Sequence, residues 1–163
     1  MKNLLPILGL ILPPSLYLIF FGINSSAFSA LGLSSNNMLI SVGIISLIIW
    51  IWSSWYARSV NKYFRKKEKG NFKNSFGVQS ISETLQLSIW LFISVTFASS
   101  NPFSQLLIIL VLMLLVGNIF RIWLTSFSYE VDFKTATNAN KFNLIWEIII
   151  YGPAISISFV LGG

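Results

Sequence analysis

The chain has 163 residues, 55% of them hydrophobic and only 10% charged, with a net charge of +6 and a mean hydropathy of +0.75. A soluble domain carries about 25% charged residues and has too little core at this length to hide so much apolar surface. The composition therefore excludes an ordinary water-soluble fold and points to an all-α integral membrane protein. Cys and His are both missing, which excludes disulfides, thiol redox chemistry, Cys/His zinc sites, S-palmitoylation, the usual haem ligands and the Ser-His and Cys-His nucleophile pairs.

The first apolar run, Leu4 to Ile23, has the roughly 20 residues needed to cross about 30 Å of hydrocarbon. Pro6 and the pair Pro13-Pro14 predict a kink or break near Leu10. Met1-Lys2-Asn3 and Ala27-Phe28-Ser29 also resemble the ends of a cleaved signal peptide. The apolar stretch is longer than a signal core of about 7–15 residues, which favours a retained span. Residues 24–37 are small, polar and uncharged and read as an external loop. The sequon Asn24-Ser25-Ser26 within it lies almost at the membrane surface and is read as a chance occurrence.

The second span runs from Met38 to about Ala57 and ends in the aromatic belt Trp50, Trp52, Trp55 and Tyr56. Arg58, Lys62, Arg65, Lys66, Lys67, Lys69 and Lys73 follow in a basic loop over 58–83. Beside a span, each such cation attracts anionic lipid headgroups by about 1 kcal/mol. No Gly or Pro intervenes before Gly70, so the second helix can continue out of the bilayer. Tyr63, Phe64, Phe72 and Phe76 interleave with the cations, a mixture that also suits single-stranded nucleic acid. Proximity to the span makes lipid the expected partner and nucleic acid not.

The third span covers about 84–99, with Ser80-Ile81-Ser82-Glu83 before it as a capping box. Ser99-Ser100-Asn101-Pro102 reads as a tight turn in which Asn101 caps the next helix and Pro102 takes its first position. The fourth span, about 103–125, has no polar residue from Leu106 to Val116. A polar loop over 126–142 leads to the fifth span, about 143–161. In that loop Phe127, Tyr129, Val131 and Phe133 alternate with Ser128, Glu130, Asp132 and Lys134. Period two predicts an extended segment, covering the inner end of the bundle or adding to a partner's sheet edge.

With the N-terminus inside, all eleven Lys and Arg fall on the cytoplasmic side or within about a turn of it. The six Trp residues also lie toward the cytoplasmic ends of their spans. The expected architecture is a single transmembrane domain over 1–163, a bundle of about five helices with N-in and C-out. Four would remain if the first were cleaved. The expected location is the cell (inner) membrane, as a multi-pass protein. No internal repeat supports an inverted-repeat transporter.

Glu147 is the one acid inside an expected span, and Arg121 lies at matched depth on the preceding antiparallel helix. The two are predicted to pair. A structural pair is the first reading of Glu147, with snorkelling to the interface and an ion or proton site as alternatives. Glu147, Tyr151, Ala154 and Ser158 share one face of the fifth helix, a stripe expected to point into the bundle. Gly43, Ser46, Ser53 and Ala57 form a small-residue stripe on the second helix. Asn118, with Glu147 and nearby serines, could line a polar conduit, although close packing is the simpler reading.

No paired Asp, no intramembrane Lys and no Gly-rich phosphate loop is present, so an enzyme is not expected and no cofactor or metal is implied. The expectation is a small non-enzymatic accessory, assembly or structural subunit of a larger membrane complex, partnered by lipid and by other membrane subunits or its own copies. The alternative is a small transporter or channel component that uses Glu147 for a cation or proton. A self-protection protein against a membrane-active peptide also fits the size and charge, without a specific signature.

Overall fold

The computed structural model describes residues 4–23, 38–96 and 102–162. The expected external loop 24–37, Met1-Lys2-Asn3, Ala27-Phe28-Ser29 and the turn Ser99 to Asn101 lie outside the described residues. The described residues are mainly helical, with no strand among them: α1 (Leu5–Ile23), α2 (Met38–Arg65), α3 (Phe72–Thr96), α4 (Pro102–Leu112), α5 (Asn118–Tyr129) and α6 (Phe133–Gly162). A π-helical turn, Met113–Gly117, joins α4 to α5, so the described residues make five rods.

Helix α3 is central, packed against α1, α2, α4 and α5, while α6 lies against α2, α4 and α5. Two glycines set the approach of α1 to α3. A Cβ on Gly77 would collide with the Leu5 carbonyl, and one on Gly9 would stand 2.8 Å from Gly77 Cα. Here α1 does not break near Leu10, as its prolines led us to expect, but continues as one helix through Pro13 and Pro14. Pro13 cannot donate to the Gly9 carbonyl. That oxygen instead accepts Ser80 Oγ at 2.5 Å and Trp50 Nε1 at 3.2 Å. Neighbouring helices supply what proline withholds. Tyr17 donates to the Thr84 carbonyl at 3.1 Å, and an apolar cluster of Tyr17, Phe21, Val42, Ile49 and Leu91 closes this side of the bundle.

The connections differ from the expected ones. Helix α2 runs on to Arg65, and Glu68, with φ 57°, turns the chain back. The basic loop thereby shrinks to a short turn before Phe72. Asn71 caps α3: its Oδ1 accepts the Asn74 amide at 3.2 Å and its carbonyl the Ser75 amide at 3.0 Å. Ser80 to Glu83 is therefore not a capping box, because the helix has already begun about two turns earlier. The expected extended segment at 127–134 is also overturned. Helix α5 continues to Tyr129, Glu130 adopts a left-handed conformation, and α6 starts at Phe133. Asp132 caps α6 through the Thr135 amide at 3.0 Å. Two local caps outweigh the period-two pattern, and most of the expected polar loop 126–142 is helix.

Polarity is inverted relative to a water-soluble bundle. Leu39, Ile40, Ile51, Ile119, Ile149 and Val160 lie on the outside, whereas Arg121, Glu147, Gln79, Gln86, Asn140 and Asn143 are at most 1% exposed. By length and composition, the stretches Met38–Arg65 and Ser104–Tyr129 are long and apolar enough to cross a membrane, and Leu5–Phe21 is a shorter apolar helix.

Candidate functional site: a buried ionic centre

Three helices each carry polar residues at helical spacing on their inner faces. On α3 these are Ser75, Gln79, Glu83 and Gln86; on α5, Asn118, Arg121, Thr125 and Ser128; on α6, Asn140, Asn143 and Glu147. Spacings of three and four keep such residues on one face of a helix, so the stripes meet along a single seam.

Arg121 is its centre. Its guanidinium, fully buried, sets Nη2 2.5 Å from Glu83 Oε1 and Nη1 2.6 Å from Glu147 Oε1. The Glu147 contact is ionic rather than an aligned hydrogen bond. Nη1 also donates to Asn118 Oδ1 at 2.9 Å, and the Tyr56 ring lies 5.2 Å from the guanidinium carbon. Asn118 Nδ2 donates to Glu147 Oε2 at 2.6 Å and to the Leu114 carbonyl at 2.9 Å. Gln86 Nε2 reaches Glu147 Oε2 at 3.4 Å and the Met113 carbonyl at 3.3 Å. Both of those carbonyls lie in the π turn, where the α-helical pattern is interrupted. Gly117 allows this approach, because a Cβ there would collide with the Gln86 side chain.

The seam continues away from the ionic centre. Thr125 Oγ1 donates to the Arg121 carbonyl and accepts Asn140 Nδ2, both at 2.9 Å. Gln79 Nε2 donates to Asn140 Oδ1 at 3.1 Å, and Asn143 Nδ2 to Gln79 Oε1 at 3.3 Å. At the far end, Tyr129 stacks on Phe64 with ring centroids 3.9 Å apart and donates to the Asn71 carbonyl at 2.8 Å.

A cavity of about 320 Å3 opens beside the ionic centre, lined by Trp52, Glu83, Gln86, Met113 and Tyr151 among others. Glu83 keeps 10% of its side chain exposed there, against 1% for Glu147. Gln86 Oε1, buried in the same wall, has no hydrogen-bond partner among the described residues.

The structure thus brings Arg121, Glu147 and Asn118 together, while Tyr151 lines the adjoining cavity. The Ser158 side chain lies outside the described residues. Ser46, Ser53 and Ala57 of the small-residue stripe are buried, but Gly43 faces open space. Glu83 was assigned a capping role and is the residue that sequence reasoning missed. The sequence signal for it was the spacing from Ser75 through Gln79 to Gln86.

Arg58, Lys62, Arg65, Lys66, Lys67, Lys69 and Lys73 are all exposed. Arg58, Lys62, Arg65 and Lys66, with Asn61, line a cleft of about 550 Å3 on α2. Lys73 belongs to a separate, mainly apolar cleft of about 620 Å3, shared with Ile7, Leu10, Phe72 and Phe76. Among the described residues no group of three or more acidic side chains could hold a metal ion. The chain matches no protein-family model, no curated protein and no solved structure.

Proposed function

We propose that this chain is a five-span protein of the cell (inner) membrane, N-in and C-out, and that it serves as a non-enzymatic accessory or assembly subunit of a larger membrane complex. The observation that carries this reading is the inverted polarity: aliphatic side chains outside, a self-paired ionic seam within. Aliphatic surface of that kind is at home in lipid, and ionisable residues in spans face the bundle interior and pair with one another. The packing of α1 against α2 and α3 supports its reading as a retained span. The basic cleft on α2 suits anionic headgroups at the cytoplasmic surface.

A subunit role is favoured because the charged groups serve one another and are not arranged as nucleophile and base. Gly43 and Gly152 also face open space among aliphatic residues, and small residues let a neighbouring span approach closely. The test is purification of the full chain in mild detergent from its own membrane. A stoichiometric membrane partner is expected. Recovery of the chain alone, still folded, would reject the subunit role, and a cytoplasmic C-terminal reporter would reject the topology.

One observation favours a second reading, a small component that handles protons or cations. Two carboxylates surround one guanidinium, so the ionised centre carries one negative charge in excess.

A further inference from the structure

We propose that Glu83, rather than Glu147, is the proton-exchanging group of the ionic centre, taking up and releasing one proton through the cavity between α2, α3 and α6. The proposal rests on the second reading above and names the group, its access route and its ligand.

Charge comes first. With Arg121 cationic and both Glu83 and Glu147 ionised, the buried centre is left with an uncompensated negative charge. An unpaired ion in a low-dielectric interior is costly and is relieved by taking up a proton or a counter-ion. A divalent ion would demand six or so oxygens. Amid the mainly apolar lining of Ile48, Ile49, Leu87 and Ile150, the cavity offers side-chain oxygens from Glu83, Gln86 and Tyr151 alone, too few to replace the shell of a metal cation, whereas a proton needs one.

Access and wrapping then separate the two carboxylates. Glu147 is 1% exposed and enclosed by Asn118, Gln86 and Arg121, every contact donating to or balancing an ionised carboxylate. Glu83 has its Oε1 on Arg121 and lines the cavity. Gln86 stands one turn along on the same face of α3, and its Oε1 is a buried acceptor without a donor. A protonated Glu83 would bring an O–H donor into the cavity that both residues line. On uptake, a hydronium in the cavity gives its proton to a carboxylate oxygen of Glu83, forming an O–H bond and leaving water. Release reverses the step with no other reactant.

The charged and titratable groups around Glu83 come from four helices. Arg121 from α5 and Glu147 from α6 are the charged ones, and the titratable neighbours around them are Tyr151 from α6, Tyr56 from α2 and Tyr17 from α1.

The test is infrared difference spectroscopy on the full chain in lipid nanodiscs, comparing about pH 9 with about pH 6, a range in which ordinary exposed carboxylates stay ionised. One carboxylic C=O band of a cavity-facing group is expected on acidification, with one proton bound per chain. The band should disappear in Glu83→Gln and persist in Asp132→Asn, which alters an exposed carboxylate. It should also disappear in Glu147→Gln, where one carboxylate and one guanidinium balance; this variant keeps the test decisive should Glu83→Gln not fold. Glu83→Asp should move the band's frequency and Glu147→Asp should leave it in place, which tells the two carboxylates apart. A wild-type chain without the band, a band that survives in Glu83→Gln or Glu147→Gln, or a band that moves in Glu147→Asp and not in Glu83→Asp overturns the proposal. Proton flux in liposomes separates it from the reading beneath. Uptake without flux upholds Glu83 exchange and rejects transport, whereas flux with the band intact in Glu83→Gln rejects Glu83 and leaves transport standing.

Discussion

Glu83 and Arg121 stand 38 residues apart in sequence and meet at 2.5 Å in the middle of the bundle. With Glu147 on the other arm of the guanidinium, one side chain ties α3, α5 and α6 together. Removing one partner of a buried pair costs about 3–5 kcal/mol, because the charge left behind is unpaired. Arg121→Leu, which strands two carboxylates, should therefore destabilise the chain by about that amount. Arg121→Lys should recover only part of the loss, since a single ammonium lacks the fork that engages two carboxylates in different directions. Unfolding in a graded detergent mixture measures both. Wild-type stability in Arg121→Leu would show that the triad does not hold the helices.

The contact of α1 with α3 depends on the absence of two side chains. Gly77→Val would drive Cβ into the Leu5 carbonyl and the Pro6 nitrogen, which are backbone atoms that cannot rotate aside. Overpacking of this kind costs about 1–3 kcal/mol. Gly152→Val is the control, because a Cβ there meets nothing within 4 Å. Thermal unfolding should separate the two variants. Equal losses would mean that helix propensity, and not the close crossing, sets the effect.

Much of this arrangement was present in the sequence as spacing. The five apolar runs correspond to the five rods, and the Arg121–Glu147 juxtaposition follows from two consecutive antiparallel helices with charges at matched depth. The connections were harder to read. Ser80 to Glu83 has the composition of a capping box, but Asn71 starts the helix earlier, and the same residues then become inward-facing members of a stripe. Asn140 was assigned to a polar loop, and Asn143 to the very start of a span, because hydropathy weighs a residue's affinity for water and not the partner it will find. Buried against Gln79 and Thr125, they are helix contacts. What hydropathy could not supply is which polar faces meet. That depends on the rotation of three helices about their axes, fixed by Gly77, Gly117 and the π turn.

The basic cleft on α2 makes a separate prediction about lipid. Arg58, Lys62 and Arg65 project from successive turns of α2, Lys66 follows its last residue, and the four share that cleft. At about 1 kcal/mol per cation near an anionic surface, replacing Lys62, Arg65 and Lys66 by Gln should weaken retention of anionic lipid by roughly 3 kcal/mol. The effect should shrink as salt rises, since exposed charges are screened. Native mass spectrometry of the chain in mixed zwitterionic and anionic lipid measures retention directly. Unchanged anionic-lipid retention in the triple variant would leave the cations a role in orientation alone.

Asp132 makes the turn between α5 and α6 sensitive to acid. Hydrogen bonds from the Thr135 hydroxyl and amide hold its carboxyl below the usual carboxylate range. A carboxylate with a depressed folded value contributes stability above its unfolded value, about 3.9, and loses it as pH falls through the lower folded value. The first turn of α6 should accordingly be protected from amide exchange at about pH 5 and fray toward about pH 2. Asp132→Asn keeps a side-chain acceptor for the Thr135 amide but has no proton to gain, so its protection should not change over that range. Exchange rates at Thr135, Ala136 and Thr137 report the cap locally. Their fraying in acid in Asp132→Asn as well would place the acid sensitivity outside this cap.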